Sequence, residues 1–520
     1  MRSISIMTIL AAALLSWPGA DARGTEVDGT IKLGGVIIDE QAGDLSAVQE
    51  TYNLEEGFSF TQLRLNGNFD PKTYFSLDLA NVNLRNRRGE VEFRVPSLLR
   101  FYGRYDQWRQ VFDPERTVTS DRKDWRFGAI VTPKRWFTLY ADYGYVSRAG
   151  DRLAFPVGTT SVFGTRYDYA LHTFRVEGEA HQGPRTFALA YDHSDYRDGL
   201  SEVADRKGFV ASGRVFTPCR FDERLTHFVR AAYGQSELDY SGLDYTIQNI
   251  QYTGVFGPIY RVQLRYSFFA NRTDDESTEL KTDDFRHDVD ATYFHRYGSV
   301  FAGYGYETND DDRSLTSYNL YTVGGSFNYR QRVNAKVEYA SRNKKDLEKL
   351  TLLKDVEASR LLAKLTVQPI DRLTIGAQAK QRERDFPDIG VEAEGLSANG
   401  FARYEYEGWG SLGGEYTYTA DEYDDLAGDY ETESHVVTSR VVLDRIPGVR
   451  LGGGLTYLDV GKDLDIEKSI GFVEAEYTFR EDYHLELKYN VYNYDDYILL
   501  DRYYTANIVW INVAYDFRTP

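Results

Sequence analysis

The residues of this chain that could carry out chemistry are few and widely spaced. Its single cysteine, Cys219, lies in the turn-like stretch TPCRFDE (217–223), so no disulfide can form within the chain. A covalently attached c-type haem requires Cys-x-x-Cys-His, which one cysteine cannot supply. The eight histidines are scattered, and the sequence contains no Gly-x-Ser-x-Gly, zinc-ligand spacing or phosphate loop. We predict no catalytic residue, bound cofactor or metal site, and expect the histidines to line a polar wall.

Acidic residues form three clusters that could have a binding role. They are DDE (274–276), DDD (310–312) and DEYDD (421–425). Carboxylates suit hard cations, but none of these clusters has the spacing of a calcium loop. Binding of divalent cations and repulsion of anionic lipopolysaccharide are both possible roles. We interpret the clusters as solvated loop tips, the usual situation of such charge runs.

The elements that must position these residues are long strands. In YYTANIVWINVAYDF (503–517) and YHLELKYNVYNY (483–494), apolar and polar residues alternate with a period of two. Successive side chains leave a strand on opposite faces, so this period predicts strands with one apolar and one polar face. These strands are longer than the usual 5–6 residues, and long enough for the roughly 9–11 that cross a bilayer at a tilt.

The connections between these strands predict an outer-membrane barrel. Tight turns with Pro or Gly, such as HQGP (181–184) and FGPI (256–259), alternate with longer polar stretches. We predict the longer connections at 40–55, 111–122, 148–165, 272–283, 343–355 and 422–433. Short turns at one rim and long loops at the other are typical of such barrels. We therefore predict an all-β, antiparallel up-and-down transmembrane barrel of about 26 strands, with short periplasmic turns and long extracellular loops.

The N-terminus and the composition support export to the outer membrane. Arg2, the apolar run 6–17 and Ala20-Asp21-Ala22 form the pattern of a secretory signal peptide. We predict cleavage after residue 22, a single barrel domain at 23–520, and insertion into the outer membrane of a Gram-negative bacterium. The mean hydropathy of −0.50 is compatible with this, because only alternate residues of a barrel meet lipid. The net charge is −19, and we expect no nucleic-acid partner for so acidic a chain.

The alternation also predicts which residues face the lumen and which face lipid. The predicted lumen-facing residues are Arg175, Glu177, Arg261, Arg265, Lys336, Glu338, Glu474, Glu476, Glu486 and Lys488. The predicted lipid-facing residues are Leu485, Leu487, Val509, Ile511, Val513 and Phe517. The final strand ends on Phe517, and such a strand resembles the signal that the barrel insertion machinery reads.

A barrel of this size raises the question of what fills it. Strands about 4.8 Å apart and tilted by roughly 40° give a diameter of about 50 Å for 26 strands. Barrels of 22 strands already carry a plug. The sequence shows no stretch long enough to be a folded plug, so either loops fold inward or a separate protein fills the lumen. An open, water-filled porin is the alternative.

The whole-chain layout resembles the MtrB/PioB-type outer-membrane porins of porin–cytochrome conduits. The stretch 72–112 is similar to the early strands of that family, whereas the Cys-x-x-Cys found near the mature N-terminus of some members is absent here. The resemblance implies a sheath around a periplasmic multihaem c-type cytochrome in the lumen, with a second cytochrome sometimes capping it outside. Haem would then be carried by the partner, and electrons would cross the outer membrane to or from extracellular acceptors.

Two other functions are compatible with a barrel of this kind. A large porin for solute diffusion or substrate uptake, with a lumen constricted by loops, is the main alternative. A barrel hydrolase is a third possibility, although such enzymes generally have fewer strands and we assign no catalytic group here. The residues alone do not separate the first two functions, because both need a wide barrel with a polar inner wall.

Overall fold

The computed structural model is a closed antiparallel barrel of 26 strands, as the sequence predicts. It describes residues 26–518 except 44–55, 71, 83, 112–118, 154–162, 201–204, 220–221, 223, 239–242, 260, 277, 312–313, 348–354, 426–427 and 499–502. The predicted signal peptide therefore lies outside the described residues. No helix among the described residues is long and apolar enough to span a membrane.

The strands are 8 to 20 residues long and follow one another around the wall. Their bounds are β1 Glu26–Gly43, β2 Gly57–Asp70, β3 Thr73–Ala80, β4 Arg87–Val95, β5 Leu99–Val111, β6 Thr119–Lys134, β7 Phe137–Leu153, β8 Phe163–Gln182, β9 Arg185–Asp198, β10 Arg206–Pro218, β11 Leu225–Leu238, β12 Leu243–Ile259, β13 Val262–Asp275, β14 Leu280–His295, β15 Gly298–Asp311, β16 Ser314–Tyr329, β17 Val333–Asp346, β18 Val356–Ile370, β19 Leu373–Phe386, β20 Val391–Tyr406, β21 Gly410–Asp425, β22 Gly428–Leu443, β23 Val449–Lys462, β24 Ile466–Phe479, β25 Tyr483–Asp496 and β26 Tyr503–Arg518.

The last strand closes the barrel against the first. β26 pairs with β1 from Asp28↔Arg518 to Gly43↔Tyr504, with one irregularity at Ile38. Closure leaves no free edge among the described strands, which removes the usual template for aggregation. At this seam the ring of Phe517 packs over Gly29, where a Cβ atom would lie 2.7 Å from the Phe517 Cζ. The same Cβ atom would lie 2.3 Å from the backbone oxygen of Arg64, so a larger residue at position 29 would disturb both the ring and the neighbouring strand.

The two rims differ in the length of their connections, although less than predicted. Connections at the rim that holds both termini are two to six residues long, and those at the other rim are two to 13. Two of the stretches predicted as long loops are mostly strand. In 272–283 only 276–279 connect two strands, and in 422–433 only 426–427 do. The polar sequence there belongs to strands that continue beyond the apolar part of the wall.

One predicted wall residue lies in a turn. Arg261 stands between β12 and β13 with a φ of 78°, whereas the sequence pattern extends a strand over 260–268. The left-handed backbone of this tight turn places Arg261 at the rim. The alternation begins one residue later, at Val262.

Buried apolar side chains form small clusters on the wall. Phe75, Leu77 and Val91 on β3 and β4 are 4–7% exposed. A second cluster includes Tyr504 and Ile508 of β26, which are at most 1% exposed. Ile508 lies on the opposite face of β26 from Val509 and Ile511, so this strand is apolar on both faces. That departs from the simple division into an apolar and a polar face that the sequence predicts.

Candidate functional site

The candidate site is the charged face of the wall, which the strand registers allow to be followed around the barrel. Directly paired residues point to the same side of a sheet, and so do residues two apart on one strand. The registers place nine predicted lumen-facing residues on one face: Arg175, Glu177, Arg265, Lys336, Glu338, Glu474, Glu476, Glu486 and Lys488. We call this the charged face, and its orientation toward the lumen stays a prediction.

One enclosed group of charges on this face lies on β8 to β10. Glu177 is 5% exposed and accepts a 2.6 Å hydrogen bond from Arg175. Arg214 bonds the other oxygen of Glu177 and also bonds Glu179 at 2.5 Å. Arg175 also reaches Asp192 at 3.1 Å. Two guanidinium groups and three carboxylates thus contact one another, and a cavity of about 180 Å³ borders them.

The remaining predicted charges form smaller pairs elsewhere on the charged face. Their contacts are Arg265 with Asp290 at 2.7 Å, Lys336 with Glu338 at 2.8 Å, Glu338 with Arg360 at 2.5 Å, Glu486 with Lys32 at 2.5 Å, and Glu474 with Arg440 at 3.4 Å. Glu476 lies 3.9 Å from His484. Lys488 approaches the rings of Phe472 and Trp510. The face therefore has densely paired, water-accessible charges.

Glycine residues help to create a recess in this face. The recess has a volume of about 630 Å³ and lies against β13 to β16. Gly303 and Gly305 form part of its lining, where a Cβ atom would collide with a carboxylate oxygen of Asp290 or Asp288. The recess is lined by paired charges, so its wall presents hydrogen-bonding groups.

The predicted lipid-facing residues share the opposite face, which we call the apolar face. Leu485, Leu487, Val509, Ile511, Val513 and Phe517 lie there together. Large side chains on this face are exposed, for example Leu189 at 74% and Val473 at 63%. At the rim with short connections, the rings of Tyr477, Phe479, Tyr483, Tyr515 and Phe517 follow one another at 4.8–6.2 Å. Aromatic rows of this kind border the apolar band of membrane barrels.

Histidines provide a feature that sequence reasoning missed. His172, His287 and His435 lie on the apolar face, not on the polar wall that we predicted. Each accepts or donates a 2.8–2.9 Å hydrogen bond to a tyrosine hydroxyl of the preceding strand: Tyr143, Tyr266 and Tyr416, respectively. Each also contacts an aromatic ring two residues further on that strand. The signal was present as an aromatic-x-aromatic sequence one strand before each histidine.

The other residues singled out in the sequence lie near the rims. Cys219 is a free thiol in the β10–β11 turn. In the same turn, hydrogen bonds from Arg224 hold the pKa of Asp222 below its ordinary value. The acidic clusters fall largely at strand ends, and Asp421 on the charged face pairs with Arg382 at 3.1 Å. No group of three metal-ligating side chains occurs within the described ranges.

Comparisons with known proteins establish the fold and nothing finer. No protein-family model and no curated protein sequence matches this chain. Among solved structures, a mutant ferric enterobactin receptor of Pseudomonas aeruginosa in complex with enterobactin has a TM-score of 0.57 at 8% identity. The match covers 95% of this chain and 81% of that one. The closed form of the ferric-catecholate import receptor Fiu of E. coli has a TM-score of 0.51 at 10% identity, with 95% and 82% covered.

These similarities and the wall itself agree on a coarse description. The chain is a large outer-membrane β-barrel, with an apolar face suited to lipid and a charged face opposite it. Identities near 10% carry no information on ligand or partner.

Proposed function

We propose that this barrel is a sheath for a periplasmic multihaem c-type cytochrome, which would carry electrons across the outer membrane to or from extracellular acceptors. The main support is the circumference of the wall. Twenty-six strands form one closed sheet. At about 4.8 Å per strand and a tilt of about 40°, a circular wall is about 50 Å across.

The connections are too short to fill a space of that width by themselves. The longest connection between consecutive strands has 13 residues, 44–56. Independent folding usually needs more than about 40 residues unless disulfides or metals assist. A separate protein is the simplest occupant, and the resemblance of the chain to porins of porin–cytochrome conduits favours a cytochrome.

The chemistry of the charged face suits a sleeve around a folded protein. Paired charges such as Arg265 and Asp290 present hydrogen-bonding groups without a large net charge. The rim of a protein–protein interface likewise consists of polar, solvent-accessible groups. In this role the barrel contributes position and insulation from lipid, while the redox chemistry belongs to the haem groups of the partner.

A transport barrel is the second candidate, because the similar solved structures are import receptors. The ferric enterobactin receptor shares the barrel fold over most of both chains. In that case, the recess against β13 to β16 would contact a solute as it passes, and inward loops would narrow the lumen. The likeness is one of fold alone, so this function ranks second.

Purification of the barrel from native outer membranes tests the proposal. In mild detergent, an affinity-tagged barrel should bring along a haem-staining protein in about equal amount, identified by mass spectrometry. A barrel that emerges free of haem and conducts ions through a wide pore in a planar bilayer would instead support the transport function. A tagged outer-membrane porin prepared from the same cells controls for cytochromes that adhere to detergent micelles.

A further inference from the structure

One sector of the charged face carries an excess of positive charge. On β17 to β19 the basic residues of this face are Lys336, Arg342, Lys344, Arg360, Lys364, Lys380, Arg382 and Arg384, and the acidic ones are Glu338 and Asp346. We call the eight basic residues the basic strip. The strip extends from near the rim with short turns to the upper part of the wall.

The strip contains like charges in direct cross-strand positions. Lys336 is paired with Lys364 across β17 and β18. Arg360 is paired with Arg382 across β18 and β19. Like charges directly opposite one another destabilise a sheet. The fold therefore bears a cost here that a compensating negative charge from outside the chain would relieve.

The chain neutralises only part of the strip. Glu338 pairs with Lys336 at 2.8 Å and with Arg360 at 2.5 Å. Asp421 pairs with Arg382, and Glu307 lies 3.6 Å from Arg342. Among the described residues, no carboxylate pairs with Lys364, Lys380 or Arg384. Lys364 and Arg384 are exposed and Lys380 is half-buried, so a molecule on this side of the wall can reach all three.

Two other sectors of the same face have a carboxylate beside each of their central arginines. On β13 and β14, Arg265 pairs with Asp290 and Arg286 pairs with Asp288. On β8 to β10, the two arginines have three carboxylates within reach. The excess on β17 to β19, eight basic against two acidic residues, is therefore larger than in these two sectors.

We propose that the basic strip is the docking surface for a carboxylate-rich face of the protein in the lumen. This inference rests on the proposed sheath function and adds the chemistry of the contact. Lys380 and Arg384 lie four residues apart on one strand, about 13 Å, and Lys364 lies on the neighbouring strand. The partner must therefore present several acidic side chains over a patch of this size. The contact fixes the rotation of the partner, because the strip combines a large positive excess with three basic side chains that have no carboxylate partner among the described residues.

A neutralised variant tests this contact on the complex. K364Q/K380Q/R384Q removes three charges of the strip that have no carboxylate partner among the described residues, while the paired charges remain. We expect the co-purifying protein to bind about tenfold more weakly or worse, and to leave the barrel at lower salt. The matched control K364R/K380R/R384K keeps every charge and should release its partner at the same salt as the wild type. Heat-modifiable gel mobility checks that both variants form barrels.

A second measurement does not need the native partner. In a planar bilayer, poly-L-glutamate should reduce the current through the partner-free wild-type barrel several-fold more than through the neutralised variant. Poly-L-lysine should not show this difference. If the barrel carries no haem protein but poly-L-glutamate still blocks it, the sheath function fails and the acidic-peptide site stands.

Two results would overturn the docking proposal itself. One is retention of the partner by the neutralised variant at every salt concentration that the wild type withstands. The other is an equal block of the wild type by inorganic polyphosphate and by poly-L-glutamate, because the strip would then be a general anion site rather than a protein-docking surface.

Discussion

At the residue scale, the wall depends on charges that are enclosed by their partners. Glu177 is 5% exposed and lies between Arg175 and Arg214. When one partner of an enclosed ion pair is removed, the remaining charge is desolvated and has no counter-charge. The resulting loss of folding free energy is larger than the net stabilisation that the intact pair contributes. Exposed pairs such as Arg403 and Glu405, at 64% and 62% exposure, lack this enclosure.

We therefore predict that Glu177→Gln destabilises the barrel more than Glu405→Gln. The first substitution leaves two guanidinium groups close together and should cost about 1–3 kcal/mol. The second removes an exposed pair and should cost about 1 kcal/mol or less. Urea unfolding in detergent micelles, followed by tryptophan fluorescence, measures both. Equal midpoints for the two variants would mean that water reaches Glu177 freely.

The contacts between histidines and aromatic rings could not be predicted from the sequence. His435 contacts Tyr416 and Tyr418, and its strand partner is Tyr418. A lone histidine in a sequence has no visible neighbour, because its contacts lie on another strand about 17 residues away. Only the register between β21 and β22 shows that this histidine belongs to the apolar face.

At the element scale, the period of two predicts the facing within each strand but not where the strand ends. Tyr483 to Val491 on β25 gives an apolar row that the sequence shows directly. In contrast, 272–283 and 422–433 are polar and therefore read as loops, yet most of both stretches is strand. Strand pairing outside the membrane needs no apolar face, so hydropathy cannot find its end.

We predict that Leu487→Arg is strongly destabilising. Leu487 lies midway along the apolar row of β25 and is 43% exposed. An arginine facing lipid near the bilayer midplane costs roughly 2–4 kcal/mol. Leu487→Ala is the matched control, because it removes the same packing without adding charge. Folding into lipid vesicles with urea titration compares the two, and equal stability of both variants would place position 487 away from lipid.

Toward the rim with longer connections, the apolar face carries acidic residues that pair directly with one another across neighbouring strands. Glu383, Glu394, Glu422 and Glu431 are successive direct partners on β19 to β22. A parallel row runs through Asp385, Glu392, Asp424 and Asp429. Like charges in these positions repel one another. The acidic cluster at 421–425 is therefore part of a larger acidic surface, whose extent only the register reveals.

We predict that Glu394→Gln stabilises the barrel in low salt. Glu394 has Glu383 on one side and Glu422 on the other, so neutralising it relieves two repulsions, with a gain of about 0.2–1 kcal/mol each. The gain should shrink in about 1 M salt, where the screening length falls to about 3 Å. Unfolding midpoints at the two ionic strengths provide the comparison. A loss of stability would indicate that Glu394 has a favourable cationic partner.

At the scale of the whole molecule, the strand number and the closure of the sheet follow from the sequence, whereas the occupant of the lumen does not. The alternating pattern from 28 to 517 predicts about 26 strands, and the structure has 26. Residues that contact another protein do not recur at a regular spacing in the sequence. The basic strip was also not predicted from the sequence. Its residues lie on three strands, and only the register of these strands brings them together into one surface.

The length of the strands determines how far the wall of the barrel extends beyond the membrane. Most strands from β12 to β26 have 14–17 residues. At about 2.5 Å of height per tilted residue, such strands rise about 35–40 Å, whereas the apolar band needs about 25 Å. In the predicted orientation, with the longer connections outside, the excess extends the wall beyond the hydrocarbon on the extracellular side. A molecule that approaches from that side would first meet the acidic ends of β19 to β22, before it reaches the level of the lipid.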